Sequence, residues 1–188
     1  LRLALERSRT ADDAVDTITS LIATHGQGGR CGYESAKFRY HSSFLIADRE
    51  GARVLETAGK HWAVEDVHGT RSISNGLTIP GFAGEHSDRL KSAVAACKVR
   101  RALTERRCAN ATEASVLMSA LRDHGDAEWP TYRRLNGTLR MPCMHGGSEI
   151  ASSLSTASWV TCLSDAGVQH WATATSSPCL SLFKPISV

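Results

Sequence analysis

Between Tyr40 and Ile79 the sequence leaves helical spacing and breaks into short apolar stretches punctuated by turn residues. Ser43 to Ala47 is apolar, Asp48-Arg49-Glu50-Gly51 is a turn, and Ala52 to Thr57 and His61 to Val67 read as further strands. After His68-Gly69, Arg71 to Ile79 reads as a fourth. Strands so closely spaced have no room for the crossover that a parallel pair requires, so the segment predicts an antiparallel β-meander. That excludes a fold built from alternating βαβ units.

Helical patterns flank the meander. Leu1 to Arg7 reads as the end of a helix, and Thr10 with Asp13 three residues later is an N-cap with acid in the first turn. Ala14, Val15, Ile18, Leu21 and Ile22 follow at helical spacing, and the run stops at His25-Gly26-Gln27-Gly28-Gly29, so an αα-hairpin opens the chain. From Ser87 to His124 the helical signal returns, with Leu90, Val94, Cys97 and Arg101 on one stripe. Thr112 is expected to cap a second helix carrying Val116, Leu117, Ala120 and Leu121. Gly125 to Gly147 collects Pro130, Pro142 and several glycines and reads as a long loop. Leu154 to Leu163 and Val168 to Thr175 flank Ser164-Asp165-Ala166-Gly167 as a hairpin, and Leu180 to Ile186 is a last strand. The order ααββββααβββ predicts the α+β class, antiparallel sheet covered by helices.

With 188 residues, 41% hydrophobic and 22% charged, the chain has the makings of one good-sized soluble domain, and collagen, coiled coil and bulk disorder are excluded. No apolar run is long enough to span a membrane, and the first residues lack a signal-peptide pattern, so a cytoplasmic location is expected. The chain begins at Leu1 already in helix-like sequence, which reads as part of a longer product. Seven basic residues fall between Arg89 and Arg107 against Asp88 and Glu105, a pattern that a solvated helix face explains, and no nucleic-acid partner is expected. Six cysteines without a CxxC pair read as free thiols. The sequons at Asn110-Ala-Thr112 and Asn136-Gly-Thr138 matter only in a secreted protein.

Three local motifs invite chemistry. Gly26-Gln27-Gly28-Gly29 follows a helix and lacks Lys-Ser/Thr, so a helix C-cap explains it better than a phosphate cradle. Cys143-Met144-His145 offers a metal pair or a thiol-imidazole pair, but in extended chain the two side chains point to opposite faces, and no second Cys/His pair has finger spacing. No metal and no cofactor are therefore expected. Asn75, in Ser72-Ile73-Ser74-Asn75-Gly76-Leu77, is either a turn-former beside Gly76 or a neutral hydrogen-bond donor.

Taken together, Gly26-Gln27-Gly28-Gly29 with Cys31-Gly32-Tyr33-Glu34, Ser43-Phe44-Leu45-Ile46-Ala47-Asp48, Val54-Leu55-Glu56-Thr57-Ala58-Gly59 with His61-Trp62, Arg71 to Ile79, Pro142-Cys143-Met144-His145, and His170-Trp171 leading to Pro178-Cys179 and Phe183-Lys184-Pro185 resemble the secernin branch of the cysteine dipeptidases. That branch is related to the bile-salt hydrolases and penicillin V acylases among the N-terminal-nucleophile hydrolases. The resemblance is collinear from Leu1 to Lys184 and implies a four-layer αββα sandwich, of which this chain is a single partial domain. It further implies a small peptide or amide substrate, attacked by a cysteine at the head of the mature chain whose own α-amine is the base. Asn75 then falls on the family's oxyanion donor, and Arg100 or Arg101 on an arginine that steadies the nucleophile.

The chain departs from the family in lacking that N-terminal cysteine, in Ala174 where a glycine is expected, and in Trp159 where a methionine is usual. None of its six cysteines can substitute, because an internal cysteine has no free α-amine. The chain by itself is therefore expected to be inactive, and the alternative function is that of a non-catalytic secernin-like interaction protein linked to exocytosis. Sheet edges left unpaired by a partial sandwich also predict self-association.

Overall fold

The computed structural model describes residues 1–27, 41–87, 93–135, 137–149 and 153–187. Gly28, Gly29, Cys31-Gly32-Tyr33-Glu34, Leu90 and Asn136, each read above from sequence, lie outside them. The chain divides into two compact units, Leu1–His68 with Asn75–Asp88, and Gly69–Ser74 with Arg89–Val188.

In the first unit, helix α1 spans Arg2–Arg7 and α2 spans Ala11–His25. The expected cap forms as a full capping box, with Asp13 N–H donating to Thr10 Oγ1 at 3.1 Å and Thr10 N–H to Asp13 Oδ2 at 3.2 Å. Helix α2 ends at Gly26, whose N–H still donates to the Ile22 carbonyl at 2.7 Å and whose positive φ of 73° then turns the chain out of the helix. Strands β1 (Ser42–Ala47), β2 (Ala52–Ala58) and β3 (His61–Asp66) form an antiparallel sheet in that order. The turn from β1 to β2 is made by the Asp48 carboxylate, which accepts from Glu50 and Gly51 amides at 2.8 and 3.0 Å and, with its other oxygen, from Ala11 at 2.7 Å. The hairpin is thereby tied to the first residue of α2. These amides, Ala11 foremost, hold the Asp48 carboxyl below its ordinary range.

Strand β2 is buried on both faces. Leu55 packs with Ala4, Ile18 and Ile22 of the helices, flanked by Phe44 and Ile46. On the opposite face Val54 and Glu56 are fully buried. Both Glu56 oxygens lie within 2.8 Å of the Thr78 amide, one also accepts from Thr78 Oγ1 at 2.7 Å, and the other from the Ile79 amide at 2.9 Å. This corrects the fourth strand expected over Arg71 to Ile79. Ser74 and Gly76 carry only single-residue bridges, and no strand forms there. The amides of Thr78 and Ile79 point into a carboxylate, so they are not offered to a sheet ladder. A short helix α3, Phe82–His86, follows, which the sequence did not announce.

In the second unit the helical stretch predicted from Ser87 resolves into α4 (Cys97–Cys108) and α5 (Ala114–Leu121). Helix α4 begins abruptly because Ala96 adopts φ 51°, a left-handed conformation that no continuous helix tolerates. Helix α5 starts after Glu113 without a side-chain cap, so Thr112 does not play the capping role expected of it. Strands β4 (Trp159–Ser164), β5 (Gly167–Thr173) and β6 (Phe183–Ile186) form a second antiparallel sheet, with Ser164 opposite Gly167 across a two-residue loop. Residues 153–158 are not strand, which shortens the predicted hairpin. A 3-10 turn, Pro178–Leu180, precedes β6. Five helices and two three-stranded antiparallel sheets among the described residues make this an α+β protein. No helix among them is long and apolar enough to cross a membrane.

Candidate functional site

Of the residues singled out from sequence, Asn75 lies in the first unit, exposed, in a bend between the bridges at Ser74 and Gly76. Arg100 and Arg101 are consecutive on α4 but differ sharply. Arg100 is 6% exposed, so a solvated helix face does not describe it. Its guanidinium donates to the carbonyls of Ala95 and Leu139 and, at 3.0 Å, to Ser74 Oγ. Burial pulls its pKa down, and the carbonyl contacts shore up the left-handed start of α4. Arg101 is half-buried, and its Nε lies 3.7 Å from Glu105 one turn on. The segment bearing Ser74 is fastened to α4 at other points too, by Thr70 Oγ1 on the Cys108 carbonyl at 3.1 Å and by Arg71 near Glu105 at 3.9 Å.

A second constellation comes from residues far apart in sequence. His124, Cys143, His145 and Cys179 bring one side-chain nitrogen or sulfur each to within 4.8 Å of one another. His145 Nε2 is central, 3.2 Å from His124 Nε2 and 3.4 Å from both Cys143 Sγ and Cys179 Sγ. The divergence expected of Cys143 and His145 does not occur, because the chain there is bent and pinned. His145 N–H donates to Thr138 Oγ1 at 2.6 Å and Thr138 Oγ1 donates to the His145 carbonyl at 2.8 Å, which turns the imidazole back toward the cysteine. The Cys143 amide reaches the Asp123 carbonyl at 3.1 Å, placing the thiol beside His124.

No family model matches the chain, and no solved structure does.

The scaffold around the four side chains is polar and specific. Arg122 donates to the Pro178 carbonyl at 3.0 Å and the Ser181 carbonyl at 2.9 Å, with its guanidinium 4.8 Å from the Phe183 ring centroid, so it fixes the turn that carries Cys179 against the segment just after α5 that carries His124. Asp123 is held by Arg107 at 2.8 Å and receives the Gly125 amide at 2.8 Å. His124 Nδ1 lies 3.1 Å from the Glu128 carbonyl, a partner that can only accept, so Nδ1 carries the proton and Nε2 presents its lone pair to the cluster. Cys143 is fully buried. Burial pushes its thiol up to about 11, against a Cys179 backbone hydrogen bond that favours the thiolate. Burial, and secondarily the neighbouring His124, lowers the His145 pKa. The Cys143 sulfur has no exposed face for a substrate carbonyl to approach, so the short Cys143–His145 distance does not amount to a thiol-imidazole catalytic pair. Soft sulfur and imidazole nitrogen donors, two of each, are instead a transition-metal donor set.

Sequence reasoning gave Cys143 and His145 together and set them aside, saw Cys179 only inside a longer motif, and passed over His124. No local spacing links the four, since two arrive singly, from the segment after α5 and from the 3-10 turn.

Proposed function

We propose that this chain is a portion of a cysteine dipeptidase-like amidohydrolase of the secernin branch, which cleaves small peptide or amide bonds through an N-terminal cysteine lying outside these 188 residues. The reading rests on the collinear motifs, and one contact supports it above the others. Arg100 Nη2 donates to Ser74 Oγ at 3.0 Å, so a buried arginine grips the residue that precedes Asn75 in the chain. A donor amide that must sit still while charge develops on a carbonyl oxygen needs its backbone held. Within the first unit the backbone that follows Asn75 is held by Glu56 at Thr78 and Ile79. Of the two arginines proposed to steady the nucleophile, Arg100 is the buried one, and Arg101 pairs with Glu105.

The chemistry then runs as follows. The α-amine of the N-terminal cysteine takes its thiol proton, the sulfur attacks the amide carbonyl, and the proton passes to the leaving amine as the C–N bond breaks and a thioester remains; water, deprotonated by the same α-amine, then cleaves the thioester, releasing the acid and returning the proton to the thiol, while the Asn75 amide steadies the oxyanion of both steps. The test is hydrolysis of a dipeptide and N-acyl amide panel by a longer polypeptide that contains this chain behind a cysteine freed as its first residue. The expected result is cysteine-dependent turnover that falls roughly 100- to 1000-fold in Asn75→Ala with circular dichroism and melting unchanged. Absence of hydrolysis across the panel by the folded, cysteine-headed protein overturns the enzymatic reading in favour of an interaction protein.

A further inference from the structure

The geometry points to a structural zinc site in the second unit, with His124 Nε2, Cys143 Sγ, His145 Nε2 and Cys179 Sγ as its four ligands. The inference stands on these side chains alone and does not depend on the proposed hydrolase.

Distance is the first argument. Zinc sits about 2.0–2.1 Å from imidazole nitrogen and about 2.3 Å from thiolate sulfur in a tetrahedron, so neighbouring ligand atoms should be roughly 3.3–3.8 Å apart. The separations around His145 Nε2 are 3.2, 3.4 and 3.4 Å, and all four donor atoms fall within 4.8 Å. The cluster needs only small rotations to enclose an ion. His145 Nε2 offers either one N–H or one lone pair, so hydrogen bonding cannot fully satisfy its three neighbours, His124 Nε2 and the two sulfurs, at once. A cation at the centre accepts every lone pair at once.

Donor chemistry is the second. Two sulfurs and two nitrogens exclude calcium and magnesium, which require oxygen, and match zinc in its closed, four-protein-ligand form. The imidazole of His124 already has the outer partner that such ligands use, the Glu128 carbonyl on Nδ1. Because every position of the tetrahedron is filled by protein, no site is left for a reacting water, and the role is structural.

Need is the third. The apolar cluster among the described residues, Ala4, Ile18, Ile22 and Leu55, belongs to the first unit. The second unit carries long stretches without helix or strand between α5 and β4, and a metal is what fastens such a unit where apolar burial is thin. Three of the ligands, His124, Cys143 and His145, lie on the stretch between α5 and β4, and Cys179 joins them from the 3-10 turn before β6.

The experiment is metal analysis of the full chain, purified or refolded with zinc and without chelator, followed by cobalt substitution. Expected is one zinc per chain, and a cobalt form with sulfur-to-cobalt charge transfer and intense d–d absorption typical of a tetrahedral site. Cys143→Ser, Cys179→Ser and His124→Ala should each weaken zinc by about 100-fold or more, beyond the 10- to 100-fold that loss of an outer partner causes. Cys162→Ser, a cysteine of β4 outside the cluster, should retain the metal. Since a ligand variant can fail to fold, wild-type thiol accessibility gives a second readout: Cys143 and Cys179 should resist alkylation with zinc and become reactive when a chelator is added. Zinc well below one per chain without a cobalt spectrum, or a Cys143–Cys179 disulfide in non-reducing peptide mapping of freshly prepared protein, overturns the site.

Discussion

Replacing Glu56 tests the most exacting piece of the first unit. Its carboxylate is fully buried and receives the Thr78 and Ile79 amides and the Thr78 hydroxyl at 2.7–2.9 Å. In Glu56→Gln the shape survives, but an NH2 replaces one accepting oxygen and meets N–H donors, so at least one buried amide loses its partner. A buried donor left unmade costs about 1–3 kcal/mol, which puts Glu56→Gln near 2 kcal/mol. Glu56→Ala strands both amides and removes side-chain packing, adding about 2–6 and 1 kcal/mol, from which relief of carboxylate desolvation subtracts about 1–2, for a net of roughly 2–5 kcal/mol. In a unit of about 80 residues each kcal/mol lowers Tm by roughly 4–8 °C. Urea unfolding followed through Trp62 of β3, with Trp129, Trp159 and Trp171 changed to Phe, reads the unit that holds Glu56. Amide exchange at Thr78 and Ile79 reads the bonds directly. Glu56→Gln within about 0.5 kcal/mol of the parent, with exchange at both amides unaltered, refutes the reasoning.

Two further outcomes follow from side chains already placed. Because amides of Ala11, Glu50 and Gly51 depress the folded-state pKa of Asp48, the stabilisation it gives is complete above its ordinary value of 3.8 and is lost as pH falls through the lower folded value. Asp48→Asn should therefore be less stable at neutral pH with a shallower acid limb in melts from pH 7 to about 2; a parent-like slope contradicts this. Arg100→Ala should destabilise the second unit by about 2–4 kcal/mol, since it removes charged donors from two carbonyls and Ser74 Oγ. Arg101→Ala, which loses a pair with Glu105 one turn away, should change stability by less than about 1 kcal/mol in a urea titration followed through Trp129, Trp159 and Trp171 of the second unit with Trp62 changed to Phe, and equal losses would contradict the distinction.

What could be read from sequence was local. Thr10 and Asp13 announce α2 because a cap is a contact three residues long, and Asp48-Arg49-Glu50-Gly51 announces its hairpin because one carboxylate closes the turn over its own neighbours. The failures share the opposite character. Arg71 to Ile79 has strand composition, but its amides are claimed by a side chain more than twenty residues away, and no periodicity records that. Ala96 breaks the long helical stretch although alanine is an excellent helix former, and the carbonyl contacts of Arg100 lie beside that break. Cys143 and His145 were visible as a pair, but the bend that aligns them is set by Thr138, and their partners at 124 and 179 are non-local. Asn75 was open between turn-former and donor, and its exposed bend is compatible with either until turnover is measured.

The division of the chain at His68, Ser74 and Asp88 has a practical consequence for anyone cutting it. The polypeptide passes between the two units three times, so neither can be excised with a single stop codon or a single protease nick. Ending an expression vector at His68, where the meander is complete on paper, deletes Thr78 and Ile79, the donors that the Glu56 carboxylate holds, and strips the cover from that face of β2. A minimal version of the first unit has to splice 68 to 75 with a short artificial joint and continue to 88. Soluble yield from that spliced gene, against insoluble product from the simple truncation, is the difference this connectivity dictates.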